Sequence, residues 1–99
     1  MKIINSEEFK TLINQDCIIT FSADWCGPCK MLTPTLETIS EVPVYKVDAD
    51  SEAQLCIEYG IRSIPTIISF KEGKEYKRLI GNQTKTKLLE MLDYGLQNN

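Results

Sequence analysis

The run from Cys17 to Ala23 constrains the fold more than any other stretch of the sequence. Its residues are nearly all apolar, and several are β-branched or aromatic. A strand with one solvent-facing side alternates apolar and polar residues, whereas a strand covered on both sides shows an almost continuous apolar run. The run therefore predicts a central strand with packed layers on both faces of its sheet, as in a parallel sheet.

Strand and helix patterns alternate on either side of this run. Further strands are predicted at 2–4, 42–47, 65–70 and 75–80, the last two joined by a hairpin turn at 71–74. Helices are predicted after a capping box of Asn5 and Glu8, after the cysteine motif at 26–29, at 51–59 and after Gly81. The order β-α-β-α-β-α-β-β-α predicts an α/β fold with a central mixed sheet flanked by helices on both faces. Its core is expected to be mainly parallel, with the closing hairpin adding antiparallel strands. One domain over residues 1–99 is expected.

Apolar residues at helical spacing predict which side of each helix faces the sheet. The expected inward residues are, in the second helix, Leu32, Leu36 and Ile39, in the third, Ala53, Cys56 and Ile57, and in the last, Leu88, Leu89, Leu92 and Leu96.

The charge of the chain narrows the classes of partner. Its formal net charge is −3, with no basic run and no histidine, which argues against nucleic acid and anionic membranes. The first eight residues lack the apolar region of a secretory signal, and no apolar run approaches the roughly 20 residues of a membrane span. We therefore expect a cytoplasmic protein, in which four cysteines need not form structural disulfides.

Two cysteines, Cys26 and Cys29, lie between the predicted central strand and the following helix. Unpaired backbone N–H groups and the positive end of the helix dipole favour a thiolate there, so the pKa of Cys26 is expected to fall. Gly27 lets a partner chain approach closely, and Pro28 fits the first helical turn. The spacing suits two-step exchange, in which an exposed Cys26 attacks a target disulfide and Cys29, pointing further inward, resolves the mixed disulfide.

Other uses of the cysteines and carboxylates fit the sequence less well. A zinc site needs four ligands, but Cys17 and Cys56 form no second motif, so no metal is expected. A static disulfide between Cys26 and Cys29 would close too small a loop to stabilise the chain much. Cys17 and Cys56 are expected in the core, with a third redox thiol at Cys56 as the alternative. Asp48 and Asp50 are expected in a helix cap and a solvated turn.

The segment Trp25-Cys26-Gly27-Pro28-Cys29-Lys30, together with Tyr59-Gly60-Ile61-Arg62-Ser63-Ile64-Pro65-Thr66, resembles the thioredoxin family. The likeness covers essentially the whole chain and implies the thioredoxin fold. It also implies that Cys26 is the nucleophile and Cys29 the resolving thiol, with no bound cofactor.

The same resemblance implies a docking surface around the dithiol. Pro65 matches a cis-proline that faces the two cysteines, and the backbone of Ile64 would then bond an extended substrate segment. The docking surface implied in this way consists of Trp25, Gly27, Pro28, Ile64 and Gly81. Pro34 resembles a helix-kinking proline whose ring removes the bond to the Lys30 carbonyl.

The sequence departs from the family pattern at Thr20, where most thioredoxins have a buried aspartate. A hydroxyl cannot act as a carboxylate base at neutral pH. Lys46 matches the lysine that usually accompanies that aspartate, so it lacks its expected partner. We therefore expect Cys29 to lose its proton less efficiently, to water or to Asp24 through water. The interval from Cys29 to Lys46 is also short, which predicts a trimmed segment near 41–43.

These features predict a protein-disulfide reductase and electron carrier of cell redox homeostasis. The absence of a cation between the cysteines favours reduction of partners over oxidation. The resemblance implies disulfide-containing client proteins and a thioredoxin reductase linked to NADPH or ferredoxin as partners, and the protein is expected to be a monomer. An oxidase or isomerase and a redox-independent binding subunit of a larger assembly remain the alternatives.

Overall fold

The computed structural model describes residues 1–92 and contains five strands and four helices in that part of the chain. The strands are β1 (Lys2–Ile3), β2 (Cys17–Ser22), β3 (Val44–Asp48), β4 (Thr66–Lys71) and β5 (Lys74–Ile80). The helices are α1 (Ser6–Leu12), α2 (Gly27–Glu37), α3 (Ala53–Glu58) and α4 (Lys85–Glu90). The predicted order of elements is confirmed, with most boundaries displaced by one to three residues.

The strands form one sheet in the order β1-β3-β2-β4-β5. β3 pairs in parallel with both β1 and β2, whereas β4 pairs antiparallel with both β2 and β5. The mixed sheet is confirmed, with β1, β2 and β3 parallel and the closing hairpin of β4 and β5 adding the antiparallel strands. β4 enters beside the central strand from the opposite direction, so β2 has one parallel and one antiparallel neighbour.

The central strand is buried along its whole length, as its apolar run predicts. One face of the sheet is covered by α1 and α3 around an aromatic cluster of Phe9, Phe21 and Phe70. The other face is covered by α2 and α4, with an aliphatic core of Leu32, Leu36, Ile39, Ile67, Leu88, Met91 and Leu92. Burial of apolar area on both faces is the main force that holds the sheet in the middle of the molecule.

The ends of the elements follow their local sequence. Asn5 and Glu8 form the predicted capping box at α1, and Gly60 follows α3 with a positive φ of 63°. Glu72 and Gly73 both have positive φ, as a two-residue turn between antiparallel strands requires. No helix within residues 1–92 is long and apolar enough to cross a bilayer.

The predicted inward face of α3 is wrong. Leu55 is the buried residue of this helix, Cys56 is half-buried, and Ala53 and Ile57 are exposed, Ile57 by 72%. The helix is only six residues long, so its orientation depends on the one large side chain that reaches the aromatic cluster. In α4, Leu88 and Leu92 are buried and Leu89 is half-buried, whereas the predicted core residue Leu96 lies outside the described residues.

Candidate active site

The dithiol motif follows the carboxyl end of the central strand. β2 ends at Ser22, and the Cys26 backbone N–H donates to the Ala23 carbonyl across a tight turn at 3.1 Å. Cys26 then occupies the N-cap position of α2 in an extended conformation. The change from strand to helix within four residues places the first cysteine at the end of the helix where backbone N–H groups lack partners.

A backbone donor at this helix terminus points directly at the first sulfur. The Cys29 N–H donates to Cys26 Sγ with an N-to-S distance of 3.2 Å. Cys26 and Cys29 form a disulfide, with their Cα atoms 5.3 Å apart. In the reduced chain the same donor and the helix dipole favour a thiolate at Cys26 over a thiol.

The two cysteines differ less in exposure than the sequence predicts. Cys26 is 4% exposed and Cys29 is 3% exposed, so an exposed attacking thiol is wrong for this disulfide-bonded state. The physical reason is a small apolar cluster in which both cysteines pack with Ala23 and Ile64. Ile64 therefore packs against the cysteine pair that a partner sulfur must reach.

The loop before β4 forms the opposite wall of this site. The Ile64–Pro65 peptide bond is cis, and the Ile64 carbonyl oxygen lies 3.8 Å from Cys26 Sγ. The Pro65 carbonyl accepts a 2.8 Å hydrogen bond from the N–H of Gly81, whose φ is 89°. The fold thus brings Ile64, Pro65 and Gly81 to the same edge of the sheet as the dithiol.

Trp25 is 70% exposed beside the first cysteine, and its indole is held by a contact that the sequence does not predict. Its Nε1–H donates to Asp50 Oδ2 at 2.9 Å. A signal for this contact exists in the sheet register, because Ser22 and Asp48 pair on parallel neighbours β2 and β3. Residues two or three positions beyond this pair must meet at the same edge.

Asp48 stabilises the same turn in a different way. Its Oδ1 accepts the Asp50 N–H at 2.9 Å. The N-cap of α3 is Glu52, which makes no side-chain cap hydrogen bond, so the helix-cap prediction is wrong for both aspartates. Asp48 supports the turn, and Asp50 supports the tryptophan.

Thr20 and Lys46 are adjacent partners on β2 and β3. Thr20 is 2% exposed, and its neighbour on the other side is Ile67 of β4. Pro34 lies inside α2, and next to it Thr33 Oγ1 donates to the Cys29 carbonyl at 3.0 Å. The structure therefore brings Thr20 and Lys46 together near the end of β2. In α2, the Cys29 carbonyl accepts a hydrogen bond from the Thr33 side chain.

The remaining two cysteines lie in different surroundings. Cys17 is 1% exposed at the start of β2, and burial, with the nearby Asp16 carboxylate, raises its pKa to about 11. Cys56 is half-buried, and its pKa is raised by burial first and then by Asp48, Asp50 and Glu52. The prediction of a core position holds fully for Cys17 and partly for Cys56.

A dithiol at a helix N-terminus, beyond a central strand and opposite a cis-proline loop, defines a class of protein, the thiol–disulfide oxidoreductases. The Thioredoxin family model matches residues 1–94, and the chain belongs to the thioredoxin family. Members of that family are protein-disulfide oxidoreductases, which is the activity that the site and the relatives support.

Similar proteins and structures agree on this assignment. The chain is 41% identical to the thioredoxin of Chlamydia caviae over 98 residues, covering 94% of this chain and 96% of that protein. It is 46% identical to the thioredoxin of Rickettsia felis over 81 residues, covering 77% of each. Among solved structures, Malassezia sympodialis thioredoxin has a TM-score of 0.81 at 36% identity, covering 94% of this chain and 88% of that chain. Plasmodium falciparum thioredoxin has a TM-score of 0.85 at 30% identity, covering 96% and 99%.

Proposed function

We propose that this protein reduces the disulfides of other proteins through Cys26 and Cys29. The Cys26 thiolate attacks one sulfur of the client disulfide, a new Cys26–client bond forms, and the other client sulfur leaves as a thiolate. The Cys29 thiolate then attacks Cys26 Sγ and releases the second client thiolate. Two electrons have passed to the client, and the protein carries the Cys26–Cys29 disulfide.

The observation that carries this proposal is the hydrogen bond from the Cys29 N–H to Cys26 Sγ at 3.2 Å. It places a preformed donor on the sulfur that must carry negative charge before attack. It also keeps the resolving residue within one helical turn of the mixed disulfide. Gly27 and Pro28 add no cation between the cysteines, so the reduced form receives no extra stabilisation and the pair favours donation of electrons.

Client proteins would dock on the surface formed by Trp25, Gly27, Pro28, Ile64, Pro65 and Gly81. The half-buried Ile64 stands beside the sulfur. An extended client segment can add to the exposed backbone of this loop as a short strand. Trp25, fixed through Asp50, then covers the opposite side of the segment.

The electron source and the cellular compartment belong to the same proposal. After each cycle the disulfide must be reduced again by a separate enzyme, a thioredoxin reductase linked to NADPH or ferredoxin. The family assignment supports such a partner. A cytoplasmic location suits the cycle because client disulfides are reduced there rather than preserved.

Thr20 and Lys46 would act on the second step. The proton of Cys29 must leave before this thiol attacks Cys26, and the Thr20 hydroxyl cannot accept it at neutral pH. We assign Thr20 and Lys46 as supporting residues of the active site. Because neither accepts the Cys29 proton, that proton passes to solvent. Resolution, rather than attack, is then the slower half of the cycle.

Reduction of insulin with dithiothreitol as the electron source tests the function. The wild-type protein is expected to accelerate insulin precipitation. Pre-reduced Cys29→Ser, mixed with insulin after the dithiothreitol is removed, is expected to accumulate a mixed disulfide visible by intact mass. Equilibration with glutathione gives the reduction potential, and hence whether the dithiol donates electrons to its partners or accepts them. A reduction potential clearly more oxidising than the cytosolic glutathione pool would favour an oxidase or isomerase instead. Full biological function of a Cys26→Ser variant would favour a redox-independent binding subunit.

A further inference from the structure

A groove runs from the dithiol edge along α3, and we refer to it as the α3 groove. Trp25 and Ile64 border it near the active site, and Ile57, Ile61 and Arg62 line it further away. Its volume is about 420 Å³. Ile57 is 72% exposed, so the groove offers apolar surface that residues 1–92 leave uncovered.

Among the described residues that line this mainly apolar groove, one carries a charge. Arg62 is exposed, and within residues 1–92 its guanidinium makes neither a hydrogen bond nor an ion pair. Arg78, by contrast, bonds both the Glu75 carboxylate and the Tyr59 carbonyl. A guanidinium without a partner beside apolar surface is suited to bind a carboxylate in a planar, two-point geometry.

Arg62 lies close in sequence to the residue whose carbonyl faces the reacting sulfur. It precedes Ile64 by two residues, and the Ile64 carbonyl oxygen is 3.8 Å from Cys26 Sγ. Two residues span at most about 7 Å of extended chain. A client segment paired along this loop would therefore bring the side chain two or three positions from its cysteine within reach of the guanidinium.

We propose that Arg62 is a specificity-determining residue that selects client segments with Asp or Glu two or three residues from the attacked cysteine. The occupant of the α3 groove is thus an extended client segment with apolar residues and one carboxylate near its cysteine. The proposal rests on the proposed reductase function. Arg62 acts on the first step, in which Cys26 bonds the client sulfur and the other client sulfur leaves as a thiolate.

The net charge of the protein makes this selectivity distinguishable from a general electrostatic effect. The chain carries a formal charge of −3, so long-range forces disfavour acidic clients. Preference for an acidic segment must then come from a local contact. Such an effect also persists better in moderate salt than long-range attraction does, because the Debye length at physiological salt is only about 8 Å.

Short peptides with one cysteine linked to 2-thiopyridine provide the test. Attack of reduced Cys26 on the peptide sulfur releases thiopyridone, whose absorbance gives the second-order rate constant. The peptides carry Glu or Gln at positions −3, −2, +2 or +3 from the cysteine and are otherwise identical. The enzymes are wild type, Arg62→Gln, Arg62→Lys and Lys10→Gln, the last being a matched loss of one charge on α1, outside the groove.

With the wild-type protein we expect Glu to be favoured over Gln by about two- to fivefold at one or more of the four positions. That ratio should fall to about one in Arg62→Gln, recover partly in Arg62→Lys, and stay unchanged in Lys10→Gln. A ratio of one or less at all four positions, or a preference that survives Arg62→Gln, would overturn the proposal. Coverage of the groove by a second copy would also remove the preference, and sedimentation would then show a dimer.

Failure of the selectivity and failure of the function give different results. If every peptide reacts rapidly and equally, Cys26 is a working nucleophile and only the role of Arg62 is rejected. If no peptide releases thiopyridone from the reduced protein, the reductase function itself is rejected.

Discussion

The two ends of β2 carry thiols of nearly equal burial and opposite chemistry. Cys17 begins the strand at 1% exposure, and Cys26 follows the other end at 4% exposure. Cys17 Sγ faces the Leu12 carbonyl at 3.8 Å, an acceptor that favours the protonated thiol. Cys26 Sγ lies at the same 3.8 Å from the Ile64 carbonyl, but it also accepts the Cys29 N–H at 3.2 Å, a donor that favours the thiolate.

This comparison shows that burial alone does not decide whether a cysteine is reactive. Burial costs a thiolate its hydration in both places. At Cys17 the neighbouring Asp16 adds to that cost, whereas at Cys26 the first turn of α2 offsets it with partial positive charge. The polarity of the nearest backbone group therefore separates the structural thiol from the redox thiol.

The largest expected difference is in catalysis. Cys26→Ser should lower insulin reduction by at least about 10⁴-fold, because the attacking thiolate is lost. Cys17→Ala should keep the rate within about twofold, at a stability cost of about 1–2 kcal/mol for the small cavity. Turbidity assays on both variants at 25 °C check this. A Cys17→Ala protein that is folded by circular dichroism yet inactive would contradict the division between the two ends.

The rates of alkylation of Cys17 and Cys26 should differ by a large factor. With its pKa at about 11, Cys17 has a thiolate fraction on the order of 10⁻⁴ at pH 7. Iodoacetamide should therefore label Cys26 of the reduced protein at least about 10³ times faster than Cys17. Peptide mapping after timed quenching measures both rates. Comparable rates in the native protein, with unfolding excluded by circular dichroism, would contradict the assignment.

Much of this contrast could be predicted from the sequence. The apolar run at 17–23 predicts a buried strand, and the motif at 26–29 predicts a helix N-terminus, because both signals are local. The burial of Cys26 could not be predicted, since it depends on Ile64, 38 residues away in the chain. The hydrogen bond between Trp25 and Asp50 likewise needs the register of β2 against β3.

The wrong prediction for α3 has a related cause. Apolar spacing favours Ala53, Cys56 and Ile57 as the inward face, yet Leu55 is the residue that contacts the aromatic cluster. In a short helix one large side chain outweighs the pattern. The residues left outside, Ile57 above all, then line the α3 groove.

At alkaline pH, the free energy of unfolding should depend on the ionisation of Cys17. Its pKa in the folded protein, about 11, lies above the ordinary value of 9.0, so the folded state holds this proton more tightly than the unfolded state. The stabilisation is complete below pH 9 and is lost as pH rises from 9 to 11. Relative to Cys17→Ala, the wild-type free energy of unfolding should fall by up to about 3 kcal/mol across this window.

Urea titrations of the reduced wild-type and Cys17→Ala proteins, from pH 8 to pH 11, measure that difference. Because Cys56 is present in both proteins, its own titration cancels. A constant difference across the window would mean that Cys17 ionises as readily in the folded protein as in the unfolded chain.

Thr20 lies between the two ends of β2, and its substitution should change the reactivity of the dithiol without affecting Cys17. Thr20→Asp places a carboxylate two residues before the strand ends, next to Lys46. If proton removal from Cys29 limits the cycle, this variant should raise the rate of disulfide reduction near pH 7 by up to about tenfold. Thr20→Val is the control, and urea titration monitors the cost of burying the carboxylate. An unchanged or lower rate in a folded Thr20→Asp protein would show that proton removal from Cys29 does not limit the cycle.

The smallest expected effect concerns Cys56, which lies between the two extremes. Burial raises its pKa first, and Asp48, Asp50 and Glu52 add to the shift. Asp50→Asn removes one of these charges but keeps an oxygen that can accept the Trp25 Nε1–H bond. The pH profile of Cys56 alkylation should therefore move to lower pH, with a rate about twofold higher at pH 8.

Glu7→Gln makes the same change in net charge on α1, and it should leave the Cys56 profile in place. An equal shift in both variants would mean that total charge, rather than the carboxylates beside Cys56, sets this pKa. The environments of Cys17, Cys26 and Cys56 would then differ only in burial and in proximity to a helix N-terminus. A shift confined to Asp50→Asn would show that the aspartate that fixes Trp25 also suppresses reaction at Cys56, which lines the α3 groove.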